Sequence, residues 1–132
     1  MSAHLDKLPP AAQLLGREIV RIDEDGVAHL RFFARPEFAN RHGGVQGGLA
    51  GAMLDSATMT PLLAQLPVDR IAVTAKLETE YLKPTPLGAL TAKAWIVSRD
   101  ERSAVTRGEL YAPDGTLCVA ATAHLRILVK RS

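Results

Sequence analysis

One carboxylate stands out in the longest stretch of this chain that carries almost no charge. Between Arg41 and Asp69, Asp55 is the one residue with a formal charge when histidine is counted as neutral. Its neighbours, residues 51–54 and 56–59, are small, apolar or hydroxylated. A carboxylate in an apolar setting is costly unless it is paired, and such groups are enriched at functional sites. Asp55 is therefore a candidate base or nucleophile. The alternative is a carboxylate on a solvent-facing stripe of a helix.

A glycine-rich segment lies directly before the segment that holds this carboxylate. Residues 43–48 read Gly-Gly-Val-Gln-Gly-Gly. Glycine allows a close approach of the backbone, and the free N–H groups at the start of a helix bind an anion or an oxyanion. An ordinary flexible loop has the same composition, so the glycines alone are weak evidence. Their combination with an isolated Asp55, about two helical turns further on, is more specific.

The pattern of apolar residues predicts the elements that position these groups. They are a short helix at 9–16, strands at 17–22 and 26–33, a loop at 36–48, a helix at 49–66, and strands at 71–82, 89–98, 103–111 and 116–128. Pro61 interrupts the long helix, and we expect a kink or a break there. In the strand at 71–82 the residues of one predicted face are Ile71, Val73, Ala75, Leu77 and Tyr81.

One long helix followed by hairpins predicts an α+β domain with an antiparallel sheet. The helix is apolar nearly all round, so it should be buried on most sides. A sheet of about five to six strands wrapped around one central helix meets that requirement. The length of 132 residues fits a single domain, 1–132.

Composition excludes several classes of protein. Lys and Arg number 16 against 14 Asp and Glu, with no basic run, which argues against nucleic acid as a partner. The uncharged stretch at 43–68 contains glycines, prolines and a carboxylate, which argues against a membrane span. Cys118 is the single cysteine, so we expect no internal disulfide and a reducing, cytoplasmic location. No Cys/His cluster has the spacing of metal ligands, and we predict no metal.

Three segments resemble a known family. Residues 40–57 (Asn-Arg-His-Gly-Gly-Val-Gln-Gly-Gly-Leu-Ala-Gly-Ala-Met-Leu-Asp-Ser-Ala) are similar to the signature of the phenylacetate-degradation (PaaI-like) acyl-CoA thioesterases. Residues 74–84, with Tyr-x-x-Pro at their end, resemble the family's central strand, and residues 14–19 fit as well. The resemblance extends from about Leu14 to Leu128. It implies a hotdog fold and hydrolysis of an acyl-CoA thioester.

The resemblance also implies roles for individual residues. Asp55 matches the catalytic carboxylate, and Gly47 matches the residue whose backbone N–H polarises the thioester carbonyl. Asn40 matches a loop amide that positions the thioester or water, and Thr74 falls where several relatives carry a hydroxyl near the thioester. Gly48, Ser56 and Met59 are further candidates for the substrate pocket.

The family's subunits pair edge to edge, so the resemblance implies a homodimer or homotetramer whose sites are shared between subunits. Coenzyme A is then part of the substrate, and no separate cofactor is expected.

One position departs from the family pattern. Gln46 stands where a histidine is usual, and glutamine cannot accept a proton at neutral pH. His42, four residues earlier, is interpreted as a loop residue. Two other functions therefore stay open: a hotdog enoyl-CoA hydratase, which generally needs a histidine at this site, and a non-catalytic module that binds or senses acyl-CoA. The acyl group, aryl or aliphatic, is not determined by these residues.

Overall fold

Six strands and one long helix account for most of the chain. A computed structural model describes residues 3–131. Its elements are α1 Pro10–Leu14, β1 Glu18–Ile22, β2 Ala28–Ala34, a 3-10 helix Pro36–Phe38, α2 Gly47–Leu63, β3 Arg70–Tyr81, β4 Gly88–Arg99, β5 Ser103–Tyr111 and β6 Leu117–Val129. Residues 1, 2 and 132, which the single-domain prediction includes, lie outside the described residues. Neither helix is long and apolar enough to cross a membrane, within the part of the chain that is described.

The strands form one antiparallel sheet in the order β1-β2-β4-β5-β6-β3. Local turns explain the β5–β6 hairpin: Gly115 has a φ of 89°, and Asp114 Oδ1 accepts a hydrogen bond from the Thr116 amide at 2.9 Å. Helix α2 packs against five of the six strands, from β2 to β6. The predicted α+β sheet around one central helix is confirmed, with six strands.

The core lies between α2 and the concave face of the sheet. Met53, Leu54 and Ala57 of α2 are fully buried there. Strand β2 contributes every second residue, and β6 does so from Ala121 to Ile127, as the alternation predicts. Helix and sheet approach closely at Gly108, where an added Cβ would lie 2.9 Å from Cγ2 of Thr58. This close approach requires glycine, because a Cβ there would displace the buried threonine.

A β-bulge in β3 corrects one prediction about its faces. Thr74 and Lys76 pair with adjacent residues of β6, so β3 contains one extra residue between them. Ile71 and Val73, before the bulge, lie on the exposed face, whereas Leu77, after it, packs on the core. The prediction that these three side chains share a face is therefore wrong. The bulge also leaves Thr74 facing α2.

Helix α2 begins at Gly47, two residues earlier than predicted, and continues through Pro61 to Leu63. The break expected at Pro61 does not occur. Proline in the last turn removes only one helix hydrogen bond, and Pro61 is buried.

One stripe of α2 is not covered by the rest of the chain. Its exposed or half-buried members follow helical spacing and are Gly48, Ala52, Asp55, Ser56, Met59 and Leu63. The prediction of burial on most sides is confirmed, and this stripe is the one side that the rest of the described chain leaves open. The stripe lies beside β3, which is an edge strand of 12 residues.

Candidate active site

The isolated carboxylate of α2 is held by a hydroxyl from the edge strand. Thr74 Oγ1 donates a hydrogen bond of 2.8 Å to Asp55 Oδ1. The contact depends on the bulge, which turns Thr74 toward the helix. The two residues lie in an open groove between α2 and β3, whose other lining residues are Gly48, Gly51, Ala52, Ala75, Lys76, Leu77, Thr79 and Tyr81.

Asp55 is exposed in the single chain. The apolar surroundings predicted for it are therefore not found there, because Met53, Leu54 and Ala57 point to the other sides of the helix. The interpretation of a solvent-facing stripe describes the single chain better. The stripe nevertheless carries no second charged side chain, and its acid is bonded to Thr74 in a groove.

The N-terminus of α2 presents free donors. Within residues 3–131, the amide N–H groups of Gly47 and Gly48 donate no hydrogen bond. Gln46, at the N-cap, forms no side-chain cap either. Such amides carry the positive end of the helix dipole, and a serine, threonine or aspartate cap normally satisfies one of them. This helix start can therefore bind an anion or a developing oxyanion.

The loop before α2 is held in place by Asn40. Its Oδ1 accepts hydrogen bonds from the amides of His42 at 2.9 Å and Gly44 at 3.2 Å. Gly44 packs so closely on Thr85 that an added Cβ would lie 3.0 Å from the Thr85 carbonyl oxygen. The loop walls a pocket of about 500 Å³, whose lining includes Asn40, His42, Gly47, Tyr81, Lys83 and Thr85.

Tyr81 separates this pocket from the groove of Asp55, since it lines both. Its hydroxyl donates a 2.8 Å hydrogen bond to the carbonyl oxygen of Gly47. Its ring packs so closely on α2 that a Cβ added at Gly47 or at Gly51 would lie 3.3 Å from the nearest tyrosine atom. The sequence motif contains Tyr81, but sequence reasoning did not assign it to the site; its position at the end of β3 was the available signal.

The remaining predicted site residues lie apart. Gln46 is exposed and lines neither the pocket nor the groove. Ser56 Oγ accepts a 3.0 Å hydrogen bond from Arg17 Nη1, and Met59 packs against a core cluster near the end of α2. The structure thus brings together Asp55, Thr74 and Gly48 in the groove, and Asn40 and Gly47 in the pocket. The roles of all these residues stay predictions.

The other histidines and the cysteine have structural surroundings. His29 is 3.0 Å from Asp23, and this hydrogen bond is the main cause that lowers the pKa of Asp23. His124 is 3.1 Å from Glu78, and Cys118 is fully buried. Within residues 3–131 no group of three or more His, Cys, Asp or Glu could hold a metal ion.

Comparison with known proteins gives consistent matches. Residues 39–119 match the family model described as Thioesterase superfamily. A Ralstonia eutropha protein related to phenylacetic acid degradation has a similar structure, with 34% identity, a TM-score of 0.87 and 91% of each chain covered. A Bacillus halodurans protein crystallised with CoA has 27% identity and a TM-score of 0.81, covering 94% of this chain and 79% of its own.

The PaaI protein of the Escherichia coli phenylacetic acid degradation operon shares the fold. It has 20% identity and a TM-score of 0.85, with 96% of this chain and 89% of its own covered. No curated protein matches the chain in sequence.

Proposed function

The chain belongs to the thioesterase superfamily and has the hotdog fold, and on this basis we propose that it hydrolyses an acyl-CoA thioester to the free acid and coenzyme A. The resemblance to phenylacetate-degradation proteins is confirmed by the Ralstonia match. The CoA bound to the Bacillus protein supports a CoA thioester as substrate. The observation that carries the proposal is the Asp55 carboxylate, held by Thr74 on the same helix whose first turn has unpaired amides.

The chemistry follows from these groups. Attack on a thioester carbonyl produces a tetrahedral oxyanion, which the free N–H of Gly47 and the helix dipole stabilise. Removal of one such donor typically costs about 2.7–4 kcal/mol of transition-state stabilisation. Asp55 acts either as the base that activates water or as the nucleophile itself. Because the CoA thiolate is a good leaving group, no strong general acid is needed. Water is the only co-reactant, so the reaction needs no separate cofactor.

Thr74 orients the carboxylate. Its hydrogen bond occupies Oδ1 of Asp55, so Oδ2 is the oxygen left to act on water or on the carbonyl carbon. An exposed aspartate samples several rotamers, and one fixed partner reduces the cost of reaching the reactive one.

Two copies of the chain complete the site in this proposal. Strand β3 exposes an unpaired edge of 12 residues, which native proteins normally cover. The uncovered stripe of α2 lies beside that edge, and Tyr81 stands between the Gly47 pocket and the Asp55 groove of one chain. Antiparallel pairing of two β3 strands about a twofold axis covers both surfaces. Each site then takes its amide donors from one protomer and its carboxylate from the other, in a homodimer or in a homotetramer built from it.

A variant at the carboxylate tests the hydrolysis. Asp55→Asn keeps the size of the side chain but removes the base and the nucleophile. We expect release of free thiol from a panel of acyl-CoAs to fall by at least about a thousandfold, while the fold and the oligomer are retained. Asp25→Asn, in an exposed turn, is the matched control and should keep full activity. Full activity in Asp55→Asn would refute the assignment.

A mixing experiment tests the shared site. Asp55→Ala and Asn40→Ala chains, each inactive alone, are unfolded, mixed and refolded together. A mixed dimer then has one site with both substitutions and one site with neither, so about a quarter of wild-type activity should return. If all catalytic groups came from a single protomer, the mixture would stay inactive.

A non-catalytic acyl-CoA binding module is the second candidate, and Gln46 favours it. The usual histidine is absent at this position, and the same absence disfavours the hydratase. The acyl-CoA panel separates the three functions. Thiol release identifies a thioesterase, hydration of an enoyl-CoA identifies a hydratase, and tight binding without turnover identifies a binding module.

A further inference from the structure

The hydroxyl of Tyr81 is bonded to the peptide unit that joins Gly47 to Gly48. It donates a hydrogen bond of 2.8 Å to the carbonyl oxygen of Gly47. That oxygen and the amide N–H of Gly48 belong to one planar, conjugated peptide unit, so a donor on the oxygen acts directly on the N–H. Tyr81, the last residue of β3, therefore reaches a polar group in the first turn of α2.

The amide N–H of Gly48 is one of two free donors at this helix start. In the part of the chain that the structure describes, neither it nor the amide of Gly47 donates a hydrogen bond. The next amide, that of Leu49, is engaged with the carbonyl oxygen of Gln46 at 2.9 Å. The N–H groups of a first helical turn all point along the helix axis, away from the body of the helix. A single developing oxyanion can therefore contact both free amides.

Close packing fixes the position of the Tyr81 hydroxyl. A Cβ added at Gly47 or at Gly51 would lie 3.3 Å from the nearest atom of the tyrosine. These two glycines are four residues apart, so they lie on one face of α2 and leave the space that the side chain occupies. Glycine inside a helix is less favourable than alanine. The contact with Tyr81, and not the stability of the helix, explains the residue type at these two positions.

The hydroxyl adds a specific bond to the packing of the ring. A tyrosine O–H can donate to a carbonyl oxygen, and its oxygen can also accept from an amide. Here the hydroxyl donates to the carbonyl oxygen, and the free amides stay unpaired although Gln46 provides no side-chain cap. Hydrogen bonds in series strengthen one another because each polarises the next. The bond to the Gly47 oxygen therefore makes the Gly48 N–H a stronger donor.

We propose that Tyr81 is a positioning residue, which orients and strengthens the Gly48 N–H as a second oxyanion donor beside Gly47. The inference rests on the proposed acyl-CoA hydrolysis. Negative charge on the thioester oxygen grows between the bound substrate and the tetrahedral intermediate. A stronger donor therefore stabilises the transition state more than the ground state. Tyr81 acts on kcat and not on the affinity for substrate.

The test separates substrate binding from stabilisation of the oxyanion. Tyr81→Phe keeps the ring and removes the hydroxyl, and we expect kcat for acyl-CoA to fall by about two- to tenfold with KM unchanged. A trifluoromethyl ketone analogue of acyl-CoA, whose hydrate resembles the tetrahedral intermediate, should bind more weakly by the same factor. An S-alkyl-CoA thioether, which has no carbonyl oxygen, should bind equally well to both proteins. Tyr111→Phe, which removes the hydroxyl of the other tyrosine, is the matched control and should change none of these values.

The amide resonance of Gly48 gives a readout that does not depend on turnover. The nitrogen-15 shift of an amide responds to a hydrogen bond on the carbonyl oxygen of the same peptide unit. Tyr81→Phe should therefore move the Gly48 resonance more than those of the other amides of α2.

Three results would overturn the inference: an unchanged kcat in Tyr81→Phe, an equal loss of affinity for both analogues, or a Gly48 resonance that does not move. In each case, thiol release by the wild-type protein leaves the thioesterase proposal standing. A wild-type protein that releases no thiol overturns both proposals.

Discussion

Gly51→Ala is predicted to weaken catalysis although it should make the helix more stable. The new Cβ would lie 3.3 Å from the hydroxyl oxygen of Tyr81, so the tyrosine must move by a few tenths of an ångström. That hydroxyl donates to the Gly47 carbonyl at 2.8 Å, and Gly47 carries the proposed oxyanion donor. The displacement therefore reaches the first turn of α2 through Tyr81.

The same substitution should not lower the free energy of unfolding, but it should lower kcat. Replacing glycine by alanine inside a helix gains up to about 1 kcal/mol, so the free energy of unfolding of Gly51→Ala should not fall. Loss or weakening of one neutral hydrogen bond is worth about 0.5–1.5 kcal/mol. If this much stabilisation of the transition state is lost, kcat falls by about two- to tenfold, with little change in KM.

A double-mutant cycle is the assay. kcat and KM are measured for wild type, Gly51→Ala, Tyr81→Phe and the double variant, together with urea unfolding curves. In the Tyr81→Phe background the oxygen that meets the new Cβ is gone, so Gly51→Ala should cost almost nothing further. Tyr111→Phe, which removes a hydroxyl on the outer side of the sheet, should leave kcat unchanged. Additive effects of Gly51→Ala and Tyr81→Phe would refute the reasoning that the contact links them.

Three further predictions concern other parts of the chain. Thr74→Val removes the hydrogen bond to Asp55 and should lower kcat by about tenfold in the thiol-release assay, with a change in unfolding free energy within about 0.5 kcal/mol. Gly108→Ala places a Cβ 2.9 Å from Thr58 in the core and should destabilise the fold by about 1–3 kcal/mol in urea unfolding; unchanged stability would contradict the close approach. Burial and a hydrogen bond to Glu109 raise the pKa of Tyr111 to about 12 from 10.0. The stabilising contribution of neutral Tyr111 is therefore complete below pH 10 and is lost as the pH rises to about 12. Unfolding of wild type and of Tyr111→Phe, measured across this pH range, would detect the loss.

Several features of this protein follow from local sequence alone. The alternation of β2 and β6 fixes which residues face the core, because side chains on a strand alternate with a period of two. The Pro113-Asp114-Gly115 turn fixes the last hairpin, because Gly115 adopts the positive φ that the turn needs. The isolation of Asp55 and the glycines before it are visible without any structure, as is the resemblance that links them to thioesterases.

Other features depend on contacts between distant segments, and the sequence leaves them undetermined. The bulge that turns Thr74 toward Asp55 is a property of the pairing of β3 with β6, and plain alternation predicts the wrong face for Ile71 and Val73. The exposure of Asp55 is set by which side of α2 the sheet covers. An apolar helix has no polar face to indicate that side in advance.

The groove lined by Arg70, Arg99, Arg102 and Arg126 is also a tertiary feature. Its four cations come from β3, β4, the β4–β5 turn and β6, so no basic run appears in the sequence. Arginines that are dispersed along the chain lie near one another only because the antiparallel pairing places these strand ends together. Short-range patterns therefore determined the elements and singled out Asp55 as the candidate carboxylate, whereas the sheet pairing decided which groups meet.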